Sequence, residues 1–81
     1  MPVFIAPKKN KMEVLVFKTN LTDSKRISDI EYTLDLHPHI LRWNVDLNDC
    51  DNILRIECNK LMGNEVETLL WKAGYYCEEL L

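Results

Sequence analysis

Apolar residues along this chain switch between a period of two and a period near 3.6, and the switches predict six elements. Residues 12–19 (Met-Glu-Val-Leu-Val-Phe-Lys-Thr) form a short run rich in β-branched and aromatic types, as a strand requires. Thr22, Asp23 and Ser24 are three good N-cap types in a row. They open a helix over residues 23–36, with Ile27, Ile30 and Leu34 on one face and Pro38 as its stop. Beyond it, Leu41, Trp43, Val45 and Leu47 alternate with Arg42, Asn44 and Asp46, which predicts a strand with one wet face. Residues 48–51 (Asn-Asp-Cys-Asp) make a turn, and residues 53–58 alternate again, with Leu54, Ile56 and Cys58 on one face. With that turn, opposed residue numbers sum to 99, so Leu41 faces Cys58, Trp43 faces Ile56 and Val45 faces Leu54. On the other face Arg42 meets Glu57, an opposite-charge pair worth ~0.2–1 kcal/mol. Asn64, with Glu67 three residues on, caps a second helix. Val66, Leu69, Leu70 and Ala73 form its apolar stripe, and Gly74 is its left-handed terminator. Residues 75–80 suffice for a last short strand.

The order is β-α-β-β-α-β. Burying both helical stripes against one face of a four-stranded antiparallel sheet gives a ferredoxin-like α+β sandwich over residues 12–81. Residues 1–11 are broken by Pro2, Pro7 and the run Lys8-Lys9-Asn10-Lys11, and read as an N-terminal extension.

Some of these residues resemble a known family. The ungapped run from His37 to Leu47 (His-Pro-His-Ile-Leu-Arg-Trp-Asn-Val-Asp-Leu) is similar to the L-P-G-V-x-x-V-x-V-D-L pattern of the heavy-metal-associated domains. Ala73-Gly74-Tyr75 is similar to that family's closing A-G-Y or A-G-F. The family includes copper chaperones and the N-terminal modules of copper-pumping ATPases. Counting back from Pro38 puts Leu21-Thr22 on its M-T, and the C-x-x-C that follows falls on Asp23 and Arg26. The resemblance implies that Asp23, Arg26 and Tyr75 form a degenerate metal loop. Family thiolates hold a soft ion such as Cu(I), which prefers sulfur. Here a carboxylate and a permanently charged guanidinium stand in their place, so neither a metal nor any other cofactor is predicted.

Composition narrows the function further. The 81 residues are 47% hydrophobic and 28% charged, as in a globular domain, with a net charge of -3 that offers no footprint for nucleic acid. No stretch approaches the ~20 apolar residues needed to cross a bilayer, and residues 1–7 have no basic flank or cleavage site of a signal peptide. A cytoplasmic protein without a membrane partner is expected. Three cysteines at irregular spacing, Cys50, Cys58 and Cys77, suggest reduced thiols and no disulfide framework.

Each candidate residue has a plain structural reading. Asp23 caps the first helix. Tyr75 packs against Leu21. His37 and His39 are exposed histidines at the end opposite the loop. Cys58 is a buried thiol, and Cys50 lies in an acidic turn unlike the setting of an activated nucleophile. Asp46, Asn48 and Asp51 lack the central Gly and distal Glu of a calcium loop. No glycine-bearing phosphate cradle follows the first strand, so no enzyme is predicted.

The expected function is a non-enzymatic protein-interaction module, bound to a protein partner or to a second copy. If Val14 and Val16 face the core, then Leu15, Phe17 and Ile53 lie on the open sheet face. With Trp71 they form a partner surface, unless Val3, Phe4 and Ile5 of the extension fold over it. On that reading Phe17→Ser abolishes a complex and leaves the fold intact. The alternative is a metal-binding or metal-transport accessory protein using Cys50, Cys77 or the His37/His39 pair.

Overall fold

The computed structural model describes residues 12–81. The extension, its lysine cluster and any cover supplied by Val3, Phe4 and Ile5 lie outside the described residues. The elements are β1 (Glu13–Thr19), α1 (Ser24–Asp35), β2 (Ile40–Asp46), β3 (Ile53–Cys58), α2 (Gly63–Lys72) and β4 (Cys77–Glu79). They build one antiparallel sheet in the order β2-β3-β1-β4. Both helices lie on one face, where Ile30 and Leu34 of α1 and Val66 and Leu70 of α2 close over Phe17, Leu54 and Ile56. No helix among the described residues is long and apolar enough to cross a membrane.

The helix ends follow from local chemistry. Asp23 caps α1, its Oδ1 accepting from the Arg26 N–H at 2.9 Å. Before Pro38, the His37 N–H closes the last turn on the Leu34 carbonyl at 3.2 Å. For α2 the cap pair is shifted from the expected one. Met62 is the N-cap, and Glu65 Oε1 accepts its N–H at 2.8 Å. Glu67, expected in that role, instead accepts the Glu79 N–H at 2.8 Å and ties α2 to β4. Gly74, at φ +93°, ends the helix, while Ala73 is exposed at the C-cap and does not belong to the buried stripe.

The β2–β3 hairpin keeps the expected register from Arg42 to Asp46, including the Arg42–Glu57 ion pair at 2.9 Å. It departs at Leu41. An irregularity between Ile40 and Arg42 puts Ile40, not Leu41, opposite Cys58, and leaves Leu41 exposed. A bulged strand sets two residues against one, which a strict period of two does not anticipate.

The phase of β1 is the larger correction. Phe17 is fully buried and Leu15 packs against the core, while Val14 is 53% exposed. Val14 and Val16 pair with Glu57 and Arg55, and so share the open face with the charged positions of β3. Ile53, only 8% exposed, is also closed to a partner. Of the four residues expected to form an apolar partner surface, Leu15, Phe17 and Ile53 do not form it, and Trp71 alone is exposed. The Trp71 indole N–H donates to the Cys77 carbonyl at 3.2 Å, so the ring lies beside β4.

Candidate functional site

The loop from β1 to α1, the β2–β3 turn and the α2–β4 connection all gather at one end of the sheet. Two backbone-directed bonds fix the turn to β1. The Thr19 N–H donates to the Asp51 carbonyl at 3.1 Å, and the Thr19 hydroxyl donates to the Asn52 carbonyl at 2.6 Å. The same hydroxyl accepts the Leu21 N–H at 3.1 Å, which folds the loop inward and buries Leu21. Asn20 holds the third connection, its side-chain oxygen accepting the Tyr76 N–H at 2.9 Å. The three connections at the site end are therefore cross-linked by hydrogen bonds from the Thr19 backbone and the Thr19 and Asn20 side chains.

Asp23 and Arg26 are in contact, while the Tyr75 hydroxyl turns to Asp29. Arg26 Nε lies 3.9 Å from Asp23 Oδ2, and its Nη1 donates to the Asn20 carbonyl at 3.3 Å. The guanidinium thus folds back over the loop. All of this is exposed, so the ion pair adds little to stability. Tyr75 is half-buried against the core cluster that contains Leu21. Its hydroxyl donates to Asp29 Oδ2 at 2.6 Å. That hydrogen bond, followed by desolvation and the Asp29 charge, pushes the phenol above its ordinary range. The Tyr75–Asp29 and Asn20–Tyr76 links join residues 46 and 56 positions apart, so no local signal in the sequence exposes them.

This donor set does not fit a soft metal ion. The Asp23 carboxylate is engaged by the Arg26 N–H and guanidinium, and a fixed cation repels a second one.

The other proposed ligands are dispersed. His37 and His39 lie at the opposite end, with ring centroids 5.8 Å apart. They are half-buried rather than exposed, and His37 Nδ1 is occupied by the His39 N–H at 3.1 Å. Asp49, Cys50 and Asp51 hold ligand atoms within 4.8 Å of one another in the β2–β3 turn. Their carboxylates serve the turn itself: Asp49 Oδ1 accepts the Asp51 N–H at 2.8 Å, and Asp51 Oδ1 lies 3.8 Å from Lys18 Nζ.

Cys58 and Cys77 belong to the core. Burial raises both thiols, Glu13 adding to it at Cys58 and Glu67 and Glu79 at Cys77, which is pushed up to about 12. A thiol-specific reagent at neutral pH is expected to modify Cys50 alone in the native protein and all three cysteines in denaturant, as read by mass spectrometry. Rapid native labelling of Cys77 contradicts its burial. Because the folded Cys77 thiol ionises later than the unfolded one, its contribution to stability is complete below the ordinary value of 9.0 and falls as pH rises toward about 12.

A four-stranded antiparallel sheet with two helices on one face, in β-α-β-β-α-β order, defines a ferredoxin-like α+β sandwich. Among solved structures, the chain is similar to the apo form of the HMA domain of the copper chaperone for superoxide dismutase, with a TM-score of 0.74. The match covers 100% of this chain and 80% of that chain at 16% sequence identity, which establishes the fold and not the activity. No protein-family model and no curated protein matches the sequence.

Proposed function

We propose that this domain is a non-enzymatic protein-binding module that keeps the heavy-metal-associated fold without its metal chemistry. The observation that carries this reading is the Arg26 guanidinium, folded onto Asp23 and the Asn20 carbonyl where the family's thiolates would converge. Three further points support it. Asn20, Thr19 and Tyr75 hold the loop closed by hydrogen bonds, so a metal is not needed to order it. Net charge of -3 disfavours nucleic acid as the partner. Cys58 and Cys77, buried and unpaired, suit a reducing compartment such as the cytoplasm.

The test is a two-dimensional amide NMR spectrum under reducing conditions, titrated with Cu(I) and, in separate samples, Zn(II). No peak is expected to move at equimolar metal. Shifts at residues 22–27 and Tyr75 would reinstate a metal site at the loop. Shifts confined to Cys50 or to His37 and His39 would establish a new metal site on the scaffold and overturn the metal-free reading.

A further inference from the structure

Among the described residues the sheet has two edge strands, β2 and β4. An edge displays unpaired N–H and C=O groups, and natural sheets blunt such edges with charges, proline or bulges. On β2 the irregularity lies at one end, between Ile40 and Arg42, and residues 42–46 run in regular register with β3. The outer edge of that run carries no proline and no lysine.

The sequence of β2 is complementary to itself. Around Asn44 its regular run reads Arg42-Trp43-Asn44-Val45-Asp46. Laid antiparallel on a second copy about Asn44, Arg42 meets Asp46 and Trp43 meets Val45. Side chains of opposed residues share a face, so over residues 42–46 the Arg42–Asp46 pairs fall on the open face and the Trp43–Val45 pairs on the helix face. The groups needed are available. Arg42 uses Nε and Nη2 on Glu57, which leaves Nη1, and Asp46 uses Oδ1 on the Asn48 N–H, which leaves Oδ2. Leu41 and Leu47 are 55% and 44% exposed. A groove of ≈ 390 Å³ runs along the same edge between α1 and β2, lined in part by Leu34, Ile40, Leu41 and Trp43.

We infer that β2 is a homodimer edge, joining two copies antiparallel about Asn44 into one continuous sheet. This rests on the protein-binding reading and names its surface and partner. The other edge does not suit the role. β4 spans only Cys77–Glu79, and pairing it with itself sets Glu78 against Glu78. Joining β2 to β4 of another copy is head-to-tail and leads to a ring or an open filament, whereas β2 on β2 closes as a two-fold dimer. The contact is small, so its dissociation constant is expected in the micromolar range or weaker, ~10 μM to ~1 mM.

Sedimentation equilibrium of the full chain from ~5 μM to ~1 mM tests it. The wild type is expected to move from 9.6 kDa toward twice that mass as concentration rises. Asp46→Arg alone sets Arg against Arg42 twice per dimer, and Arg42→Glu alone sets Glu against Asp46 twice. Each is expected to weaken association by roughly tenfold or more. An equimolar mixture of these two variants restores two opposite-charge pairs and is expected to dimerise as the wild type does. Asn44→Asp, a milder change that places like charges on the axis, is expected to weaken the dimer several-fold and to regain strength in salt. A 9.6 kDa species throughout overturns the dimer, as does a dimer indifferent to all three substitutions. A monomer whose amides at residues 42–46 resist hydrogen exchange overturns it in favour of residues 1–11 covering the edge. None of these failures touches the metal titration, so the metal-free reading stands or falls separately.

Discussion

Phe17→Ser is expected to unfold the domain and not merely to release a partner. The ring is fully buried in the centre of β1, between β3 and β4, and packs in the cluster that joins both helices to the sheet. Truncating a buried Phe to Ala costs ~3–5 kcal/mol, and a serine hydroxyl placed there adds an unpaired polar group. A domain of this length has ~4–12 kcal/mol in total. The variant is therefore expected to lose most of its dispersed amide spectrum at 37 °C, or to shift its urea midpoint to near zero. Val14→Ser, on the open face, is the control and is expected to change stability by less than about 1 kcal/mol. If Phe17→Ser melts like the wild type while Val14→Ser unfolds, the strand has the opposite phase and Phe17 is a surface residue.

That pair of substitutions marks where the sequence stops being informative. Val14, Leu15, Val16 and Phe17 are all apolar, so alternation along β1 cannot say which pair faces inward. Lys18, on the same parity as Val14 and Val16, was the available hint. The strands of the hairpin carried their own answer, because Arg42, Asn44, Asp46, Arg55 and Glu57 mark the wet face unambiguously. Even there the irregularity at Leu41 escaped, since both Ile40 and Leu41 satisfy an apolar position. The first helix was legible from Asp23 to Pro38 because cap and stop are local chemistry. The second began earlier than expected because Met62, with no capping oxygen, stands at the N-cap and Glu65 supplies the bond.

The loop was legible in a different way. Asp23 and Arg26 came from spacing and resemblance, and their proximity follows from the helix, where residues three apart are neighbours. Asn20, Asp29 and Tyr76 join them only through contacts made after the chain folds. The closed loop and the open β2 edge lie on different parts of the molecule. The metal titration at one and the sedimentation experiment at the other therefore test separate surfaces.

The double substitution Asp23→Cys with Arg26→Cys is expected to create a Cu(I) site at the β1–α1 loop. The two positions are the N-cap and the third residue of α1, and their side chains already approach to 3.9 Å. A helix N-terminus favours the thiolate form, and removal of the guanidinium takes away the cation that opposes a metal. Two thiolates three residues apart on one helix turn suit a soft monovalent ion. Without metal the variant loses the Asp23 cap and is expected to be ~0.5–2 kcal/mol less stable than the wild type. With Cu(I) in thousandfold excess over its dissociation constant it regains ~4 kcal/mol. The readout is a stoichiometric Cu(I) titration with amide shifts at residues 22–27, set beside each single variant to exclude Cys50. If the double variant binds no copper, the loop does not present these two positions toward a common point. The correspondence of Asp23 and Arg26 to a thiolate pair would then be a coincidence of spacing.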